Sequence, residues 1–221
     1  MLVKVISINI GFLVPLVFLS TAIIRKTNLR PLLLGAACFT VSQVLLRIPL
    51  LQLLSKNSDF LLFEGTQPLL YGLLLALSAG LFEETGRLIF MKLGLSKQNS
   101  WSTGLWFGLG HGGIEAVLFY GLPVLMIPAS QAGVSLLIGG VERIFAMLLH
   151  VGLSLLVLYG VQRKQKRFYL TAVLLHTLVD ALVTIIPLYT QNSLLLIEGA
   201  LILTSVGLFL YTLNLRRKWE L

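Results

Sequence analysis

Seven apolar segments, at about 2–24, 31–54, 67–93, 100–126, 132–160, 168–189 and 194–214, take up most of the 221 residues. A helix needs about 20 apolar residues to cross the hydrocarbon core of a bilayer, and each segment is that long. Lipid offers no hydrogen bonds, so such segments satisfy their backbone by folding as helices. The chain is therefore expected to be an all-α polytopic membrane protein with about seven transmembrane helices in a single domain, 1–221. With 57% hydrophobic and 12% charged residues, an ordinary soluble domain is excluded. The first segment follows Lys4 and stops at Arg25 and Lys26. Its apolar run is too long for a signal-peptide core, so it reads as the first span.

The net charge of +8 is distributed as in membrane loops, and it argues against a nucleic-acid partner. Basic residues gather at 25–30 (Arg25, Lys26, Arg30), around 94–99 (Lys92, Lys97), at 161–167 (Arg163, Lys164, Lys166, Arg167) and after Leu215 (Arg216, Arg217, Lys218). The connections 55–66, 127–131 and 190–193 carry only Lys56. By the positive-inside rule the N-terminus is expected outside and the C-terminus in the cytoplasm. Cys38, the single cysteine, leaves no internal disulfide and reads as a small buried hydrophobe.

Inside the third segment stand Glu83, Glu84 and Arg87. Each charge near the middle of a membrane helix costs about 2.5–3.5 kcal/mol, so the group needs partners or a task. Arg87 lies four residues from Glu83 and three from Glu84, within reach of either. Adjacent residues point about 100° apart, so one glutamate can be held while the other faces a cavity. The fourth segment places Phe107, His111 and Glu115 on one face, with Gly104, Gly108 and Gly112 as small-xxx-small steps for close helix packing. The fifth carries Glu142, Arg143 and His150, with Glu142, Ala146 and His150 on one face. Neighbouring Glu142 and Arg143 are poorly placed to pair, so Arg143 is expected to find Glu115 or Glu198. In the sixth, His176 and Asp180 are four apart, spaced for a hydrogen bond that would fix the imidazole tautomer, and Thr184 continues their stripe. Arg47 is expected to snorkel or to meet Asp59 or Glu64, and Glu198 to lie at the interface.

Counting about 1.5 Å per residue from the basic ends, Glu83 and Glu84 fall near 14 Å, His111 near 16 Å, His150 near 15 Å and His176 near 12 Å. Asp180 falls near 18 Å and Glu115 near 22 Å. All three histidines of the chain thus share one layer with the paired glutamates. A carboxylate that takes a proton from water, beside imidazoles that polarise a carbonyl or protonate a leaving group, makes a hydrolytic site. There is no GxSxG and no HExxH. His111, His150 and His176 also form a candidate zinc set with an open position for water. Intramembrane Glu, Asp and His chains serve as proton relays as well, so a proton-coupled transporter stays open, as does a non-catalytic scaffold or immunity protein.

These residues resemble the type II CAAX prenyl endopeptidase superfamily of intramembrane proteases, most closely its YhfC branch. The resemblance covers 81–180 and rests on Glu83-Glu84 followed by Arg87, on Phe107-x-x-x-His111 and on His176-x-x-x-Asp180. His150 looks like the extra histidine of the related PrsW-like branch. The resemblance implies a catalytic bundle of helices 3 to 6 (67–189) in a bacterial plasma membrane. Glu83 and His111 would activate water, and His176 with Asp180 would support the oxyanion. Glu84, Arg87 and His150 would belong to the same centre, with Phe107, Glu115, Glu142 and Arg143 in support. The expected substrate is a membrane-associated peptide or protein, cut in or near the cytoplasmic leaflet. The favoured mechanism requires no cofactor, and zinc is its alternative. The choice of base between Glu83 and Glu84 stays open, with Glu83 preferred.

Overall fold

The computed structural model describes residues 1–26, 28–95, 100–191 and 193–219. Lys97 of the basic connection 94–99 lies outside the described residues. The described chain is helical, without a strand among those residues. Among the described residues, six helices are long and apolar enough to cross a membrane: α1 (Leu2–Arg25), α2 (Leu29–Leu54), α5 (Trp101–Met126), α6 (Val134–Gln162), α7 (Lys166–Leu188) and α8 (Ser193–Arg217). The short α3 (Ser58–Thr66) and the long α4 (Pro68–Gly94) pass the same test together, bent by 111°. The seven expected spans are all present, with ends shifted by a few residues.

The α3 helix is an addition, because 55–66 reads as a plain loop. Asn57 starts it by accepting from the backbone N–H of Asp59 and Phe60 at 2.8 and 3.2 Å, a side-chain N-cap. It ends at Gln67, whose backbone (φ −131°, ψ 57°) leaves the helical region before Pro68. Proline then opens α4, where its missing N–H costs nothing.

The helix α6 is the central pillar; its half from Ala146 to Gly160 is almost wholly buried. It packs against α5 and α8, α5 packs in turn on α2, and α4 packs on α7. Glycines set the α2, α5 and α6 contacts. A Cβ on Gly104, Gly108 or Gly112 would meet Leu155, the Val151 backbone or the Met147 backbone within 2.4–2.9 Å, so the expected small-residue seam of α5 faces α6. The opposite face of α5 is as close to α2: a Cβ on Gly110 would fall 1.9 Å from the Leu32 carbonyl oxygen, and one on Gly35 1.9 Å from that of Phe107.

Toward the basic ends of the helices, the interior is closed by Met91, Leu95, Phe107, Leu153 and Val157, all buried. Cys38 lies in the same cluster as a buried free thiol. Among the described residues, π-helical segments occur at Asn9–Leu13, Thr40–Arg47 and Val117–Gly121. Such widened turns occur often at functional sites, and Thr40–Arg47 carries Gln43 and Arg47.

Candidate active site

Two glutamates on consecutive positions of α4 are handled differently. Glu84 is fully buried and ion-paired with Arg87. The same oxygen, Oε1, accepts from His176 Nδ1 at 2.7 Å. Glu83 faces the other way. Its Oε2 lies 2.9 Å from His111 Nε2 and 3.9 Å from His176 Nε2, and its Oε1 accepts from the Gln43 side-chain amide at 2.7 Å. Adjacent carboxylates on a helix diverge by about 100°, and here one becomes structural while the other lines a cavity.

Gln43 is the residue that the sequence reading missed. Its amide oxygen accepts from Arg47 at 3.0 Å, which fixes the amide orientation and presents its N–H₂ to Glu83. Arg47 is in turn held by Ser78 Oγ at 2.9 Å and the Leu75 carbonyl at 2.8 Å on α4. This replaces the expected snorkelling or pairing with Asp59 or Glu64. The signal lay in the sequence as an i, i+4 polar pair on an otherwise apolar helix.

His111 is 0% exposed, held by Glu83 and edge-on to Phe39 with ring centroids 5.2 Å apart. Phe107, one turn away, is part of the closed core. His150 is gripped at both nitrogens. Arg87 reaches Nδ1 at 3.1 Å, and Glu115 Oε2 lies 2.5 Å from Nε2. Arginine can only donate, so Nδ1 accepts from Arg87, and Nε2 is turned to Glu115. His176 has the opposite tautomer constraint: its Nδ1–H serves Glu84, and Nε2 is turned toward Glu83 and Asp180. Asp180 Oδ2 stands 3.7 Å from that nitrogen, beyond hydrogen-bond length, so the tautomer is set by Glu84 and not, as expected, by Asp180. Thr184 leaves the stripe and packs at Gly72 of α4.

Arg143 pairs with Glu115 at 2.7 Å, as expected, but also with its neighbour Glu142. The adjacent pair closes because both side chains turn into one cavity. This cavity, about 160 Å³, is lined among others by Gln43, Glu83, Glu115, Glu142, Arg143, His150, His176 and Asp180.

Glu83, His111 and His150 each present one ligand atom within 4.8 Å of the others. Two imidazoles and a carboxylate are a donor set found in catalytic zinc sites, so the residues fit a metal by type. The trio differs from the three-histidine set in taking Glu83 for His176. Glu115 and Arg87 occupy both nitrogens of His150, so a metal at that ring has to displace one of them.

A family model described as "YhfC intramembrane metalloprotease" matches residues 10–129 and 123–201. The chain belongs to the YhfC family. The YhfC match spans α2 and α4 to α7, the helices that bring the site together. Among curated proteins, the "Uncharacterized membrane protein YhfC" of Bacillus subtilis (strain 168) is 34% identical over 144 residues, covering 51% of this chain and 56% of that one. The chain thus spans little more than half the length of that YhfC relative. No solved structure matches.

Proposed function

We propose that the protein is an intramembrane endopeptidase whose catalytic bundle is 67–189 with Gln43 and Arg47 of α2 added. The observation that carries this reading is the division of labour on α4: Arg87 and His176 engage Glu84, while Glu83 meets His111 at the floor of a cavity. Gln43 pins Oε1 of Glu83 and leaves Oε2 to take a proton from water. His111 orients that carboxylate and shares the proton. His176, anchored through Nδ1 by Glu84, turns Nε2 to the cavity, where it relays to the departing amine the proton that Glu83 takes from water. Asp180 is near enough to steady the charge on that ring, and Glu115, Glu142 and Arg143 form the polar wall beyond it.

The family description and the Glu83–His111–His150 group favour a metal-assisted version, with zinc the ion best suited to the donors. Such an ion would acidify bound water and polarise the scissile carbonyl. The protein resides in the plasma membrane of a bacterium with its basic connections in the cytoplasm, and it acts on a membrane-associated peptide or protein. Comparing membrane proteomes of cells carrying wild type and Glu83→Gln tests the activity. One uncut membrane peptide should accumulate in the variant; identical proteomes would refute proteolysis.

A further inference from the structure

Among the described residues, the lining of the cavity extends from the catalytic layer in one direction. On α5 its walls are Glu115 and Phe119, which lie past His111 in the direction away from the basic end at Trp101. On α7 they are Val179, Asp180 and Val183, past His176 and away from Lys166. On α6, which runs the other way, they are Glu142, Arg143 and Ala146, before His150 and away from the basic connection after Gln162. Side-chain exposure follows the same axis. Glu84 and Arg87 are 0% exposed and Glu83 is 4%, whereas Asp180 reaches 37% and Glu142 35%. On the basic side the layer is sealed by Met91, Leu95, Phe107, Leu153 and Val157, none more than 1% exposed.

Basic connections mark the cytoplasmic face. Resting on the peptidase reading above, we infer that water and substrate reach Glu83 from the membrane face opposite the basic connections. The substrate class is then a peptide segment presented from the non-cytoplasmic half of the bilayer. This reverses the leaflet expected from the resemblance. The apolar plug keeps the proton-exchanging groups out of contact with cytoplasmic water, and a cut on this side releases a fragment outward.

Thiol accessibility tests access without reading activity, so its result is separate from the fate of the peptidase reading. In a Cys38→Ala background, Val179→Cys reports on the cavity wall, Gln131→Cys on the connection at the open end and Lys166→Cys on the basic end. With a membrane-impermeant methanethiosulfonate, Val179→Cys and Gln131→Cys should react in right-side-out vesicles, and Lys166→Cys only in inverted ones. Ala146→Cys, on the facing wall, reports instead should Val179→Cys fail to accumulate. The inference is overturned if the cavity cysteine reacts only from the Lys166 side. It is equally overturned if that cysteine stays unreactive from both faces while Gln131→Cys reacts, or if Gln131→Cys and Lys166→Cys share one face.

Discussion

The guanidinium of Arg87 closes on the carboxylate of Glu84, three residues earlier on α4, and leaves Glu83 to His111. The two glutamates should therefore fail in different ways. Glu83→Gln keeps the fold and lowers cleavage by about 10²–10⁴-fold, the usual loss of a general base. Glu84→Gln leaves a buried arginine uncompensated, which costs about 3–5 kcal/mol of stability. Thermal unfolding in detergent separates them: Glu83→Gln should melt near wild type and Glu84→Gln well below it. Glu84→Gln combined with Arg87→Met should recover part of the loss, since the stranded charge is gone.

Metal content distinguishes the two imidazole sets. With Glu83, His111 and His150 as ligands, elemental analysis of purified protein should find zinc bound to wild type and lost in His111→Ala and His150→Ala. His176→Ala should retain most of it, because that ring supplies none of the donors of the Glu83–His111–His150 group. Chelation should remove zinc and activity together.

The contact from Gln43 to Glu83, 2.7 Å long, makes the amide a positioning group. Gln43→Leu frees Glu83 Oε1 and should slow cleavage by about tenfold, in line with the worth of one hydrogen bond to a charged group. Gln43→Glu sets a second carboxylate against the first and should lower activity further. Leucine also leaves the buried Glu83 Oε1 without its donor, so the melting temperature should fall as well, by the equivalent of about 1–3 kcal/mol.

Gly110 and Gly35 have no room for a methyl group, their added Cβ atoms falling 1.9 Å from a carbonyl oxygen. Alanine at either position should destabilise by about 1–3 kcal/mol through forced separation of α2 and α5. Gly199→Ala and Gly207→Ala, with nothing within 4 Å, should be neutral or slightly stabilising, as alanine is in a helix. Melting curves of the four variants check the contrast.

The spans were legible because a run of about 20 apolar residues has few alternatives in a membrane, and the layer of Glu83, His111, His150 and His176 followed from counting along them. The partners of each charge were less legible, since spacing along one helix says little about a neighbour's face. Arg47 found Ser78 and Leu75 on α4 in place of Asp59 or Glu64, and Arg87 took the nearer glutamate. The α3 helix escaped notice because its start depends on the Asn57 cap rather than on an apolar run. The direction of the cavity depends on which half of α6 is covered, and that emerges only when α4, α5, α7 and α8 are assembled around it.

The glycine contacts between α2 and α5 bear on how the protein responds to its membrane. When bilayer thickness departs from the apolar length of a helix, the helix tilts. With Gly35 seated on the Phe107 carbonyl and Gly110 on that of Leu32, α2 and α5 cannot slide past one another, and they tilt as one body. Gln43 and His111, which grip Glu83 from these two helices, keep their separation as the lipids change.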